Sequence, residues 1–401
     1  MTTPSVAPPA SGVAGSRFAV VGNPENRRVS LFADAVRAAG LPGPRVVAWS
    51  EVLLDGGADF ASDEIVRVES PGENPEVDRL LRGATDPTRV EGSARWYGRF
   101  NAALRTLSGG IRLDDPDDLG VLFDKRACHG VLDAAGVPVP ASPTSGPGGA
   151  PVRGWDDVRA LMREHRMPRL FVKPAHGSSA SGVLAVEAGG GRIRATTSVE
   201  LAADGTLYNS LRVRRYASER DIATIVDALA PDGLHLERWV PKASQNGRAA
   251  DLRVVVVGGR ATHAVVRTSR TPLTNLHLGG SRGDLAVARD AVGAAGSRWS
   301  DVLEVCERAA ACFPRTLCVG VDLLPAIGWR RAFVGEVNAF GDLLPRLTGL
   351  PGSGAEGLDT YAAQVRAALR EPTPPGELHP PRPAACGRAS RGPYRTGTSH
   401  A

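Results

Sequence analysis

The sequence predicts an α/β protein of more than one packed lobe, and three observations carry that reading. Its 401 residues exceed what one hydrophobic core of up to ~250 residues organises, so two or three lobes are expected. The start of the chain alternates a strand-like run, a helical run and a second strand-like run, the pattern of a parallel βαβ unit. Farther on, paired strand-like runs joined by glycine-containing turns read as hairpins.

Residues 1–15 are small and Pro-rich, and the sequence predicts disorder there. RFAVVG (17–22), RRVSLFADAVRAAG (27–40) and RVVAW (45–49) then supply strand, helix and strand. The loop Gly22, Asn23, Pro24, Glu25 and Asn26 stands at the carboxyl end of the first strand, where parallel sheets bind ligands. It lacks GxGxxG and reads equally as a simple turn. RVESPGEN (67–74) is either a cleft-lining loop or an ordinary one. A helix is expected near 92–107, an acidic turn at DDPDDLG (114–120) and a flexible connection at SPTSGPGGAPVRG (142–154). WDDVRALMREHRMP (155–168) reads as a short helix with Asp156 and Asp157 at its positive end, and ASERDIATIVDALAPDG (217–233) as a helix capped by Ser218 and Asp221. After Glu371 the chain is rich in Pro, Gly and Arg, and a disordered tail is expected.

Composition narrows the function. No apolar run approaches the ~18 residues of a membrane-spanning helix, and the N-terminus has no basic segment followed by an apolar one. A cytoplasmic protein with no membrane partner is therefore expected. The five cysteines form no CxxC pair and suggest reduced thiols, not a zinc site. The net charge of +5 is dispersed and aromatics are few, which argues against nucleic-acid binding. The cations are 45 arginines and only three lysines, Lys125, Lys173 and Lys242. In a chain this biased, lysine is expected where a compact ammonium is needed and a planar guanidinium does not fit.

Four segments carry chemistry. In LFVKPAHGSSASGVLAVE (170–187), Lys173 ends a strand, and His176, Gly177, Ser178, Ser179, Ser181 and Gly182 form a loop whose backbone N–H groups can approach phosphate oxygens. No helix follows a Gly-Lys-Ser/Thr, so this is not a Walker A loop. In GVDLLPAIGWRRAFVGEVNAFGD (320–342), Glu336 and Asn338 share one strand face. The turn at Gly328 and Trp329 folds Asp322 back opposite Glu336, giving the incomplete oxygen cage that suits Mg²⁺ shared with phosphates. LHLERWVPKA (234–243) ends in Glu237, Arg238, Trp239 and Val240, with Lys242 just beyond; an extended backbone there can meet the edge of adenine. DLRVVVVGGRATHAVVRTSRTPLTNLHLGGSRGD (251–284) puts Asp251 and Arg253 on one face, Arg267 on the returning strand and Asn275 in a small-residue turn. Its arginines suit a transferring phosphoryl group or a carboxylate, and read otherwise as surface cations.

Taken in order, these segments resemble the ATP-grasp superfamily, especially the branch of glutathione synthetase and the ribosomal-protein glutamate ligases. The resemblance covers roughly residues 120–350 and implies an ATP-grasp fold with a Rossmann-like N-terminal lobe (16–120) and two ATP-clasping lobes (121–235 and 236–370). It further implies phosphate contacts from Lys125 in FDKRACHGVLDAAGVPVP (123–140) and from Lys173, with Glu237 near the adenine amino group and the backbone of Arg238 and Val240 on its edge. Arg253, Arg267 and Asn275 would meet phosphate and acyl intermediate, and Asp322, Glu336 and Asn338 would bind Mg²⁺, with Mn²⁺ as its substitute. Two departures stand out: PKASQNGR occupies the place of the usual ribose-binding acid, and AFGDLLP follows GEVN, which singles out Asp342. The implied activity is a carboxylate–amine ligase acting on small-molecule or peptide substrates through an acyl phosphate. The alternatives are a phosphotransferase or an ATP-binding protein without turnover.

Overall fold

The computed structural model describes residues 16–370 except 85, 178, 341–343, 345 and 346. The two ends expected to be disordered, Ser178 and Asp342 lie outside the described residues. Three sheets follow one another along the chain.

The first sheet is built from β1 (Arg17–Gly22), β2 (Arg45–Ala48), β3 (Ala58–Val68) and β4 (Leu107–Arg112), in the order β2-β1-β3-β4 with every pairing parallel. The helices α1 (Arg27–Ala38), α2 (Trp49–Asp55), α3 (Pro75–Arg82), α4 (Ser93–Arg105) and α5 (Pro116–Leu122) accompany it. Asn26 caps α1 by accepting from the Arg28 N–H, and Phe32 and Val36 on its inner face pack against Phe18 and Val20. DDPDDLG turns out to start a helix: Asp115 accepts from the N–H groups of Asp117 and Asp118, and Pro116 takes the first position of α5, where its missing N–H costs nothing.

The chain then forms α6 (Lys125–Ala134) and α7 (Trp155–Glu164) before the second sheet, made of β5 (Arg169–Pro174), β6 (Leu184–Gly189), β7 (Arg192–Leu201), β8 (Leu207–Tyr216) and, after α8 (Glu219–Leu229), β9 (Leu234–Arg238). Its order is β8-β7-β6-β5-β9, antiparallel throughout. Trp155 and Val158 of α7 and Ile222 and Ile225 of α8 bury one face of it on Leu170, Val172 and Leu184. Segment 142–154, expected as a flexible connection, is pinned: the buried Thr144 hydroxyl accepts from the Leu236 N–H at 2.9 Å.

The third sheet comprises β10 (Ser244–Gln245), β11 (Arg248–Val257), β12 (Arg260–Ser269), β13 (Ser281–Arg282), β14 (Cys318–Pro325) and β15 (Ala332–Asn338), with α9 (Leu285–Ala294) and α10 (Trp299–Ala311) between β13 and β14 and α11 (Thr360–Ala368) at the end. The strands run β13-β12-β11-β14-β15, with β10 on β11. Cys128 and Leu132 of α6 pack into the core of this sheet with Val254 and Val321. Tyr361 and Val365 of α11 join Phe32 of the first sheet's helix to Val255 and Val257 of β11.

Register positions the polar groups. Asp251 faces Arg267, Arg253 faces Asp322, and Asp322 faces Glu336. Leu323 pairs with Val334 whereas Asp322 pairs with Glu336, so Gly335 is the extra residue of a β-bulge. The bulge brings Glu336, and not its neighbour, opposite Asp322.

Candidate functional site

All three lysines of the sequence line one cleft between the second and third sheets. Lys125 opens α6, where Asp124 caps the helix; its ammonium donates to the Gly177 carbonyl at 2.6 Å and pairs with Glu336 at 2.7 Å. Lys173, on β5, pairs with Glu237 on the adjacent β9 and reaches the Gly335 carbonyl at 3.5 Å. Lys242 bonds to Asp251 at 3.1 Å, the Thr274 hydroxyl at 2.9 Å and the Pro272 carbonyl at 3.3 Å.

The arginines extend this lattice. Arg253 grips Asp322 with two bonds of 2.5 and 3.2 Å. Arg267 bridges Asp251 at 2.8 Å and Asp322 at 3.0 Å. Charges therefore alternate without a break from Lys242 through Asp251, Arg267 and Asp322 to Arg253. Burial alone would push the Asp322 carboxyl up, but the two guanidiniums outweigh it and hold the group well below the usual carboxylate range. Burial likewise opposes ionisation of Glu237, yet Lys173 and His235 hold its carboxyl at about 2. The Lys173 ammonium, which burial would push down, is raised on balance by Glu237, Glu336 and Asp322. Four cations of the lining, Lys125, Lys173, Lys242 and Arg267, balance its four carboxylates, Glu237, Asp251, Asp322 and Glu336, and Arg253 adds a fifth cation behind Asp322.

Asp322 and Glu336 both line the cleft, offering the hard oxygen donors that Mg²⁺ takes when it also keeps waters and phosphate oxygens. Among the described residues no three His, Cys, Asp or Glu side chains cluster to hold a metal unaided. Asn338 stands outside the cleft lining and donates its amide to the Gly320 carbonyl at 3.2 Å.

One end of the cleft is apolar, walled by Phe171, Val183, Leu273 and Leu324. The loop after β5 covers it. Gly177 and Ser181 line the cleft, the Ser179 carbonyl accepts from His277 at 3.0 Å, and Gly182 takes a φ of +72° where a Cβ would collide with Pro174 and Val90. Arg267 and Asn275 line the cleft as well, whereas Arg253 sits behind Asp322. Other expected residues face elsewhere. The His176 ring stacks on Tyr97 at 3.9 Å in a neighbouring hollow. Arg238 gives its side chain to the carbonyls of Arg166 and His165 and its N–H to Ala141. Trp239 packs on Phe171, and Val240 is buried outside the lining.

No family model and no curated protein sequence matches the chain. Solved structures match it in fold. D-cycloserine synthetase DcsG superposes with a TM-score of 0.54 at 16% identity, over 88% of this chain and 100% of its own. The chain has the ATP-grasp fold. The ATP-grasp ligase PsnB, solved with a minimal precursor, gives a TM-score of 0.49 at 17% identity over 88% of this chain and 98% of its own. D-alanine–D-alanine ligase from Bacillus anthracis gives 0.45 at 12% over 88% and 98%.

Two polar residues of this ATP-grasp cleft, Asp251 and Thr274, are not among those the sequence marks for the site. Asp251 carries two signals: it shares a strand face with Arg253, and it stands opposite Lys242 across the tight turn between β10 and β11, where Ser244 pairs with Ala249 and Gln245 with Arg248. No helix among the described residues is long and apolar enough to cross a membrane.

Proposed function

We propose that this chain is an ATP-dependent ligase of the ATP-grasp superfamily, on the branch of glutathione synthetase and the ribosomal-protein glutamate ligases, that joins a carboxylate to an amine in the cytoplasm. On this reading residues 16–120 form the Rossmann-like lobe and 121–235 and 236–370 the two clasping lobes. One observation supports it above the rest: in a chain with 45 arginines, all three lysines meet two cross-strand carboxylates in a single cleft with an apolar end. A phosphate-rich anion with an apolar base matches that pattern of charge and polarity.

Each group then has a task. Phe171, Val183, Leu273 and Leu324 receive the base, with the end of β9 beside it. Lys125 and Lys173 neutralise phosphate oxygens, for which a compact ammonium serves best. The 177–182 loop excludes water and offers backbone N–H groups. Arg267 and Asn275 meet the transferred phosphoryl group, while Arg253 holds Asp322. Mg²⁺, or Mn²⁺ in its stead, supplies charge neutralisation between phosphate oxygens, and Asp322 and Glu336, joined by Asn338, would hold it. The existing ion pairs must exchange as ligands enter: Lys125 leaves Glu336 for phosphate, and the arginines share Asp322. Contact is replaced by contact of similar strength, so the exchange need not be costly.

The reaction balances in two displacements. A carboxylate oxygen of the substrate attacks the γ-phosphorus and the bond to ADP breaks, leaving acyl phosphate and ADP. The amine nitrogen then attacks the acyl carbon, the carbon–oxygen bond to phosphate breaks, and the amine loses one proton. Positioning and charge stabilisation carry the first step. An uncharged amine needs little further activation for the second. Incubation with ATP, Mg²⁺, pooled carboxylates and hydroxylamine tests this reading. Hydroxamate is the expected product; a phosphorylated alcohol without hydroxamate would identify a phosphotransferase instead.

A further inference from the structure

Thr144 and His235 are buried, stand outside the cleft lining and have no task in the reaction. Their place in the sheet suggests one. His235 lies directly opposite Lys173 across β9 and β5, and Glu237 directly opposite Phe171. Residues two apart on a strand share a face, so these four side chains stand together at the corners of a square. Glu237 nevertheless pairs with Lys173, its diagonal neighbour. Diagonal neighbours lie ~7–8 Å apart against ~4.5–5.5 Å for direct ones, so the carboxylate has to lean along its strand and be held there.

The hydrogen bonds identify what holds it. Glu237 gives Oε1 to the Lys173 ammonium, and its Oε2 lies 3.4 Å from Nε2 of His235. A carboxylate only accepts, so Nε2 carries the ring's hydrogen. Burial keeps the ring below its ordinary range although Glu237 pulls it up, which leaves Nδ1 bare. Nδ1 lies 3.2 Å from the Thr144 hydroxyl, whose oxygen already accepts from the Leu236 N–H and whose hydrogen is free to be given. Ser142, also 3.2 Å from that hydroxyl, accepts from the Thr144 N–H and has a hydrogen of its own to return. The other titratable neighbour, His129 of α6, lies 5.2 Å away ring to ring and donates Nε2 to the Pro140 carbonyl at 2.7 Å, so it competes for neither partner. Donors therefore run in one direction, from Thr144 through His235 to Glu237, with Lys173 donating from the far side.

Resting on the nucleotide-binding part of the ligase reading, we infer that His235 is a positioning residue of the cleft: oriented by Thr144, it holds Glu237 on Lys173 and so keeps the ammonium in place for a phosphate oxygen. The direct neighbour that a released Glu237 would turn toward is Phe171, a wall of the apolar end. Loss of His235 thus disturbs both ends of the cleft, leaving Lys173 without direction and bringing a charge toward the base.

Calorimetry with ADP and Mg²⁺ tests the assignment. His235→Leu removes the donor and should weaken binding about tenfold, since a hydrogen bond to a charged group is a strong one. Two amides separate positioning from polarity alone. His235→Gln reaches the place of Nε2 and should bind within about threefold of the wild type, whereas His235→Asn stops near the place of Nδ1 and should lose about tenfold. Thr144→Ser, which keeps the hydroxyl, should bind as the wild type does. Nitrogen NMR of the wild-type ring, which needs no variant to fold, should show the hydrogen on Nε2 and none on Nδ1. Equal affinities of the Gln and Asn variants at wild-type melting temperature, or a hydrogen on Nδ1 with Nε2 bare, overturn this proposal alone. A wild-type protein that binds no ADP overturns the nucleotide reading and this proposal with it.

Discussion

Replacing Lys173 with Met separates what that lysine does for the fold from what it does for a ligand. Its ammonium is the main partner of Glu237, which is only 3% exposed. The Glu237 carboxyl sits at about 2 against an ordinary 4.5, a difference of about 2.5 units and hence about 3 kcal/mol of stability at neutral pH. The sign follows from the direction: a depressed carboxylate stabilises the fold above pH 4.5, and that contribution disappears as pH falls toward 2. Removing one partner of a buried pair costs ~3–5 kcal/mol by an independent route, so the two magnitudes agree. Urea unfolding of Lys173→Met at pH 7 should therefore show a loss of about 3 kcal/mol. Adding Glu237→Gln removes the stranded charge and should restore most of that loss, because a neutral amide can still meet His235. Binding of a non-hydrolysable ATP analogue, read by calorimetry, should fail in both variants. A single variant as stable as the wild type would refute the electrostatic reasoning, and analogue binding recovered in the double variant would refute the role of the ammonium.

Glu336→Ala should abolish Mg²⁺-dependent ATP turnover yet leave the melting temperature within a few degrees, since the side chain is 29% exposed and its partner Lys125 keeps the Gly177 carbonyl. Gly182→Ala places a Cβ 2.5 Å from Pro174 and 2.9 Å from Val90 at a φ of +72°, so the covering loop must shift; nucleotide affinity should drop at least tenfold in a protein that calorimetry shows to be folded. Asp114 is buried and its carboxyl is pushed up by that burial to about 6. The folded state then binds its proton more tightly than the unfolded one, so this group favours folding at acid pH and loses that effect as pH rises through 6. Asp114→Asn should accordingly gain ~1–3 kcal/mol at pH 8 in urea unfolding and little at pH 4.

The lysines show how far the sequence can be read. Their scarcity among 45 arginines is enough to single them out, and all three meet in one cleft. The pairing of Asp322 with Glu336 is legible from turn position and strand period, although the bulge at Gly335 that completes it is not, because a lone glycine in a strand carries several meanings. α5 is hidden for a related reason: its Asp-Pro start has the composition of a turn, and only the helix that follows distinguishes the two. Thr274 stays out of sight because its contacts to Lys242 and Asp251 join segments remote in sequence, whereas Asp251, opposite Lys242 across the β10–β11 turn, is legible from cross-strand spacing. Side-chain direction is the least readable quantity. His176 and Arg238 sit on the expected segments, yet aromatic stacking and backbone carbonyls draw them away from the cleft.

The core that joins α1, α11, β11 and β12 has a mechanical consequence. Phe32, Val255 and Tyr361 lie in one apolar cluster, so the first and third sheets cannot separate without exposing it to water. The second sheet's core is filled by α7 and α8 and also takes Val90 from the segment between α3 and α4. The first and third sheets thus make an anvil, and the second sheet is a jaw fastened to it by the 88–90 segment, whose backbone bonds to Leu207 and Asn209. Both covers of the cleft, Gly177 with its lysine and Ser179 with His277, are contacts between jaw and anvil. Opening the mouth would also break the backbone bonds from Val90 to Leu207 and from Asn209 to Thr88 and draw Val90 out of the second sheet's core, so the cleft is held from two sides. Amide hydrogen exchange should accordingly be slow at Val90 and Asn209 and quicken at the 179–182 and 270–280 loops.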